Sequence, residues 1–383
     1  MTTQLPSEQI ASSLSEESKE ILSQSVDLGG LRSRNRFAMA PMTRTNSADG
    51  VPPEGTGEYY AERVRGGVGL IITEGILVPD AVAGFSARSP VIADPAAQER
   101  WRDVVATVHD SGGAIVSQLW HTGIQRRRPK RFHPELAPAS PSGINLAGEA
   151  VEEPLSIARV DEIIAAYAEA ARIAQNVGFD GIELHGAHGY LIDEFFWSTT
   201  NTRSDRFKAG PQFAVEILNA IRGEVGEEFP IIFRYSQWKA DQYSAQIAET
   251  PHDLERLLSA LAAAGVDCFH PSTRRYWTSA FPDHGELSLA GWTKKLTGLP
   301  TIAVGSVGID TPFSAENIMA GSLAPENLDL VAEFVVRGEF DVIALGRALL
   351  ADPQWVDKVL SAGASDVVKF DRDMVEENGE RLY

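Results

Sequence analysis

Residues 178–195 read GFDGIELHGAHGYLIDEF. Gly178 stops an amphipathic stretch in which Val160, Ile163, Ile164, Tyr167, Ala171 and Ala174 recur at helical spacing. The run that follows from Asp180 (DGIELHG) is short and nearly continuously apolar, as in a parallel strand covered on both faces. It opens into HGAHGY, a tight loop that carries two imidazoles and a phenol. Helix, buried strand and polar strand end in immediate succession are the repeating unit of an α/β fold.

Seven further runs of the same kind begin near Phe37 (FAMAP), Gly69 (GLIITEG), Ala114 (AIVSQLW), Ile231 (IIFRYS), Val266 (VDCFH), Thr301 (TIAVGS) and Asp341 (DVIALG). Their starts lie at least the roughly 30 residues apart that a βαβ unit requires. Between them, Thr250, Pro251 and Asp253 open a helix whose Leu254, Leu257, Leu258 and Leu261 form one buried stripe and which Gly265 closes. Eight such units are the number that closes a (β/α)8 TIM barrel. A doubly wound sheet is the alternative, but no Gly-rich dinucleotide fingerprint follows an early strand. The expected organisation is an N-terminal arm over 1–30, the barrel over 31–365 and a C-terminal tail over 366–383. The Pro- and Gly-rich segment from Thr122 to Pro154 is the largest insertion and is expected to cap the barrel mouth.

Composition narrows the function. The chain has 383 residues, 43% hydrophobic, and its 53 Asp and Glu against 34 Lys and Arg give a net charge of −19. That balance repels nucleic-acid backbones and anionic lipid surfaces, so neither is an expected partner. The lone Cys268 excludes an internal disulfide and any cluster or zinc site built on several thiolates of this chain. The first twenty residues lack the basic region and apolar core of a secretory signal, and no apolar run approaches the ~20 residues of a membrane helix. A cytoplasmic setting is expected.

In a TIM barrel the reactive groups sit at the carboxyl ends of the strands. These ends supply Pro41, Met42 and Thr43; Thr73, Glu74 and Gly75; Gln118 and Trp120; His185, His188 and Tyr190; Arg234; His270; Gly305 and Ser306; and Gly346 and Arg347. The last two pairs follow strands seven and eight, where barrels commonly hold a phosphate on backbone N–H groups, and Arg347 adds a bidentate partner. His185 and His188 allow two chemistries. With His270, and Glu183 or Glu194 nearby, they are candidate metal ligands. Alternatively they donate hydrogen bonds to one carbonyl oxygen while Tyr190 holds a proton to give up. Arg234 inside the mouth needs a partner, either a carboxylate such as Glu74 or Glu183 or an electron-rich ring edge. The run Arg126, Arg127, Arg128, Lys130 and Arg131 reads as a solvated loop.

Taken together, NRFAMAPMTR, EYYAERV, GLIITEG, QLWHTG, GFDGIELHGAHGYLIDEF, VGSVG and DVIALGRALLADP resemble the old yellow enzyme family, in family order from about Asn35 to Pro353. The resemblance implies a barrel carrying FMN, with NADH or NADPH as co-substrate and a small enone or nitroalkene as substrate. It places Pro41, Met42, Thr43, Gly75, Gln118 and Arg234 on the flavin ring, and Gly305, Ser306, Gly346 and Arg347 on its phosphate. It gives His185 and His188 the substrate carbonyl, makes Tyr190 the proton donor and has Trp120 shape the pocket. SQWKADQY after Arg234 and STRRYWTSAF after strand six depart from the commonest members. They put Trp238, Arg275, Tyr276 and Trp277 at the pocket as expected determinants of substrate range. NTRSDRFKAG after strand four departs as well. Relatives that reduce dienoyl-CoA esters with an iron–sulfur cluster need several cysteines, which Cys268 alone does not supply. The competing readings are a metal-dependent barrel hydrolase, a flavin-binding barrel without turnover, and another FMN barrel such as an oxidase. A homo-oligomer, with Arg381, Leu382 and Tyr383 reaching a neighbour, stays open.

Overall fold

Each apolar run of the sequence becomes a parallel strand. In the computed structural model, which describes residues 14–126, 133, 135–240, 242–308, 328–361, 367, 368 and 370, the strands are β1 (Phe37–Met39), β2 (Leu70–Leu77), β3 (Ala114–Trp120), β4 (Gly181–His188), β5 (Ile231–Lys239), β6 (Cys268–Pro271), β7 (Ile302–Val304) and β8 (Val342–Leu345). They hydrogen-bond in the order β6, β5, β4, β3, β2, β1, β8, β7. Parallel bridges from Phe269 to Thr301 and from Ser272 to Val304 bring the two edges together, so the sheet closes as a (β/α)8 TIM barrel.

A helix follows every strand: α1 (Thr56–Arg65), α2 (Pro95–Asp110), α3 (Ile157–Val177), α4 (Gln212–Val225), α5 (Pro251–Ala263), α6 (Leu289–Thr297), α7 (Leu328–Val336) and α8 (Trp355–Ser361). Local chemistry sets their ends. Thr250 Oγ1 accepts from Asp253 N at 3.1 Å to open α5, and Gly178, at φ +104°, ends α3 in a left-handed turn that favours glycine. Alternation then sorts the strand residues. Phe37, Ile71, Ile115, Phe233 and Ile343 face the helices in the outer core, while Ala38, Leu70, Ile72, Val116, Ile232, Cys268, Ile302 and Val342 fill the barrel.

The base of that inner core is sealed by a hairpin of Val26–Asp27 and Arg32–Ser33, whose Leu28 and Leu31 join the inner cluster. Asp27 Oδ1 accepts from Gly29 N and Gly30 N, both at 2.9 Å, and Gly29 turns at φ +77° against Asp267, where a Cβ would lie 2.6 Å from that residue's own Cβ. The hairpin straddles residue 30, so the expected border between arm and barrel falls inside it. Ahead of it, helix Glu16–Ser23 contacts α7.

At the opposite end, two long loops meet. Arg126 is not solvated as its basic run suggests: it is 1% exposed and donates to the carbonyls of Gly84, Leu136 and His133. Three carbonyls replace the water it loses, which makes it a buried clamp of the capping segment. Arg127, Arg128, Lys130 and Arg131 lie outside the described residues, as do residues 1–13 and the tail residues Arg381, Leu382 and Tyr383. Beyond β4, Asp193 pairs with Lys239 at the end of β5 at 2.9 Å, and both are fully buried. The second oxygen of Asp193 accepts from Gly189 N at 2.6 Å, which fixes the turn between His188 and Tyr190. Among the described residues no helix is long and apolar enough to cross a membrane.

Two outcomes test this framework. Leu28→Ala, which empties a fully buried position of the base plug, should cost about 2–5 kcal/mol of stability by urea denaturation. Burial pushes the Asp193 carboxyl up to about 6, against the pull of Lys239. Its folded-state value lies above the ~4 of an unfolded Asp, so the folded state binds more protons in that window. Stability from this group therefore falls as pH rises from about 4 to about 6. Asp193→Asn should flatten that part of the thermal-midpoint profile, and an unchanged slope would assign the titration elsewhere.

Candidate active site

The inward positions of the strands turn polar one step above the apolar filling. Register pairs Gln118 with Glu183, Glu183 with Ile232, Ile232 with Cys268, and Arg234 with both His185 and His270, so all share the inner face. Glu183, fully buried, accepts from Gln118 Nε2 at 2.7 Å and meets His270 Nδ1 at 2.5 Å. Burial works against its carboxylate, but the adjoining His270, Arg234 and Gln118 hold its pKa below the usual range. Burial also lowers His270, so the pair is a carboxylate receiving Nδ1–H from a neutral imidazole. Arg234 finds this carboxylate as its electrostatic partner, and its Nη2 donates to Ser272 Oγ at 3.2 Å. Glu74, the other expected partner, is taken up at β2 by Arg44, whose backbone N donates to it at 2.9 Å.

Two buried nitrogens of this floor, Arg234 Nε and His270 Nε2, have no hydrogen-bond partner among the described residues. Unmade bonds of this kind are expensive in a protein interior and mark where a ligand completes them. The backbone beside the floor is equally permissive. A Cβ on Gly75 would lie 2.7 Å from the Trp120 ring, and one on Gly305, which sits at φ +138°, would lie 2.6 Å from Thr273 O. Ser306 follows at φ +58°, and Gly346 precedes the short helix Arg347–Ala351 beside Met42. A planar ring with polar edges, extended by a phosphate at the Gly305 and Gly346 corner, fits these residues.

Above the floor the strand-four residues gather. Between Gly186 and His188 the register against β5 shifts, and His188 takes φ +65°, a left-handed conformation that a non-glycine residue holds only when its surroundings fix it. Ser236 Oγ, accepting His188 N at 2.9 Å, is one such restraint. The His185 ring lies 5.1 Å from that of His188 and 4.9 Å from that of Tyr190, and Trp120 meets His185 at 6.3 Å and Tyr190 at 5.1 Å. Burial, reinforced by Arg234, lowers both imidazoles well below their ordinary pKa, so each is neutral. Two neutral imidazoles and a phenol can bind an oxygen without presenting it a charge.

Other expected residues lie elsewhere. Tyr276 is 1% exposed and packs its ring on Trp277, Phe334 and Phe340, in the layer between barrel and α7. Neither Tyr276 nor Trp277 makes a ring contact with the imidazole pair among the described residues; the Tyr276 ring is taken up by Phe334 of α7 and by Phe340. His270 turns to Glu183, and Glu194 accepts from Ile124 N at 2.7 Å. The described residues contain no group of three His, Cys, Asp or Glu placed to hold a metal. Two neighbours of the site extend the expected strand ends: Ser272 stands two residues beyond His270, and Ser236, the last residue of the run IIFRYS, stands two beyond Arg234.

The NADH:flavin oxidoreductase / NADH oxidase family model matches residues 22–365. The chain is 33% identical over 356 residues to an NADH oxidase of Thermoanaerobacter brockii, covering 89% of this chain but 51% of that protein, so it spans about half of that relative. It is 28% identical over 370 residues to the flavin oxidoreductase hxnT of Emericella nidulans, covering 90% and 91% of the two chains. It is 29% identical over 364 residues to 12-oxophytodienoate reductase 7 of Oryza sativa subsp. japonica, covering 88% and 87%. Morphinone reductase in complex with tetrahydroNAD has the same fold, with a TM-score of 0.74 at 23% identity over 90% of this chain and 92% of that one. With a barrel of this topology and a family match across nearly its whole length, the chain belongs to the NADH:flavin oxidoreductase / NADH oxidase family, the old yellow enzymes.

Proposed function

We propose that the protein is an FMN-dependent oxidoreductase that uses NADH or NADPH to reduce the activated C=C bond of α,β-unsaturated carbonyl compounds. The observation that carries this reading is the neutral pair His185 and His188, in ring contact with each other and, through His185, with Tyr190. It stands directly over a polar floor with two unsatisfied buried nitrogens. The names of relatives such as the 12-oxophytodienoate reductases point the same way.

Pro41, Met42, Thr43, Gly75, Gln118 and Arg234 would hold the flavin ring, with Gly305, Ser306, Gly346 and Arg347 at its phosphate. When bound, FMN supplies the two-electron chemistry, accepting hydride from reduced nicotinamide and delivering hydride to the β-carbon of the alkene. The protein does the rest. His185 and His188 bind the carbonyl oxygen and draw electron density from the C=C bond. Their neutrality suits the task, because a neutral donor polarises the carbonyl without trapping the product oxyanion as an ion pair. Tyr190 holds the proton on its phenol oxygen and gives it to the α-carbon. Trp120, packed on both His185 and Tyr190, sets the width of the slot and excludes water.

The purified protein is expected to show flavin absorbance or to acquire it on addition of FMN, and a protein that refuses FMN would overturn the reading. Tyr190→Phe should slow enone reduction by about 10²-fold or more while flavin reduction by NADH or NADPH proceeds at the wild-type rate. Anaerobic stopped-flow separates the two halves and compares the nicotinamides. Equal loss in both halves would remove Tyr190 as the acid.

A further inference from the structure

His188 is held by two residues that the proposed chemistry does not use. Its ring stacks on Trp238 at 4.5 Å between centroids with 30° between planes. Trp238 Nε1 in turn donates to Ser272 O at 3.1 Å. The Ser272 hydroxyl stands between His188 Nε2, at 2.8 Å, and Arg234 Nη2, at 3.2 Å.

Proton bookkeeping gives this chain a direction. A guanidinium only donates, so Ser272 Oγ accepts from Arg234. The hydroxyl has one proton of its own, and His188 Nε2 is the acceptor the described residues offer it. A neutral imidazole that accepts at Nε2 carries its proton on Nδ1. His188 is neutral because burial, followed by Arg234, His185, Lys239 and His270 around it, disfavours a second proton. At His185 the neighbouring backbone favours the complementary state: Ala187 N lies 3.4 Å from Nδ1 and donates to it, which suits a proton on Nε2. Neither His185 Nε2 nor His188 Nδ1 is hydrogen-bonded to any described residue.

We infer that Ser272 is a positioning residue which relays Arg234 to His188, fixes His188 as the Nδ1–H tautomer and thereby makes the imidazole pair present two N–H donors to one ligand oxygen. Trp238 keeps the ring in the plane where the relay reaches it. Without the hydroxyl, His188 is free to carry its proton on Nε2, and a ligand oxygen at Nδ1 then meets a lone pair. The nature of the ligand rests on the ene-reductase reading; the tautomer does not.

The test uses the purified full-length protein labelled with ring-¹⁵N histidine. Long-range proton–nitrogen spectra distinguish the tautomers, and the His188 signals among the eight histidines are assigned by their loss in His188→Gln. Wild type should show His188 protonated at Nδ1 and bare at Nε2. Ser272→Ala should move the proton to Nε2, and Ser272→Thr, which keeps the hydroxyl, should restore the wild-type pattern. Calorimetry with phenol should show about tenfold weaker binding to Ser272→Ala and recovery in Ser272→Thr. An Nε2-protonated His188 in wild type, or a tautomer indifferent to Ser272→Ala, overturns the inference. The expected tautomer shifts in proteins that bind neither phenol nor FMN would sustain the role of Ser272 and sink the ene-reductase reading instead.

Discussion

A carboxylate with no exposure to water, Glu183, is the constraint around which this barrel is organised. Burying it alone would cost several kcal/mol, so three neighbouring strands answer it: Gln118 from β3, Arg234 from β5 and His270 from β6. Each partner is thereby locked in place and oriented. Arg234 keeps its charge close to the axis with one nitrogen unspent, and His270 turns one ring nitrogen to the carboxylate and leaves the other bare. Aliphatic residues at these positions would give an interior of comparable packing with nothing to offer a ligand. The floor thus trades stability for prepared, desolvated hydrogen-bonding groups.

The sequence made the fold legible because each strand is buried on both faces and reads as an apolar run, and each of the eight runs overlaps one of β1 to β8, with ends that differ by one to three residues in most of them. It made the polar floor legible too, since Gln118, Arg234 and His270 interrupt those runs at their ends. What it hid was pairing. Nothing in the text of the chain says that Arg234 turns to Glu183 while Glu74 turns to Arg44, because a barrel brings strands together across dozens of residues. Ser272 was missed because the expected strand stopped at His270. Lys239 was missed because β5 continues past Ser236 through residues that look like a loop. Arg126 and Tyr276 are placed by partners that the sequence does not show: a cation in a basic run found three carbonyls, and an aromatic expected at the pocket packs on Phe334 of α7.

The upper site is assembled differently from the floor. His188 sits in an unfavourable backbone conformation, and five residues hold it there: Ser236 on its amide, Trp238 on its ring, Ser272 on its Nε2, and Gln125 with Ala240 on its carbonyl. The Asp193 and Lys239 pair braces the next residue, Gly189. Strain at one residue is balanced by many contacts nearby, which is how a loop acquires the precision of a strand. The cluster of two imidazoles, a phenol and Trp120 inherits that precision.

The hairpin at the base carries a consequence for assembly. Leu28 and Leu31 belong to an inner cluster that includes Ile302 and Val342. The hairpin precedes all eight strands along the chain, so its seat is complete only when β8, the last of them, has been made. Its leucines must wait in solvent, or under a chaperone, while some three hundred residues follow them. The N-terminal hairpin is a stopper fitted after the vessel is finished, and a growing chain stalled before β8 would hold it out.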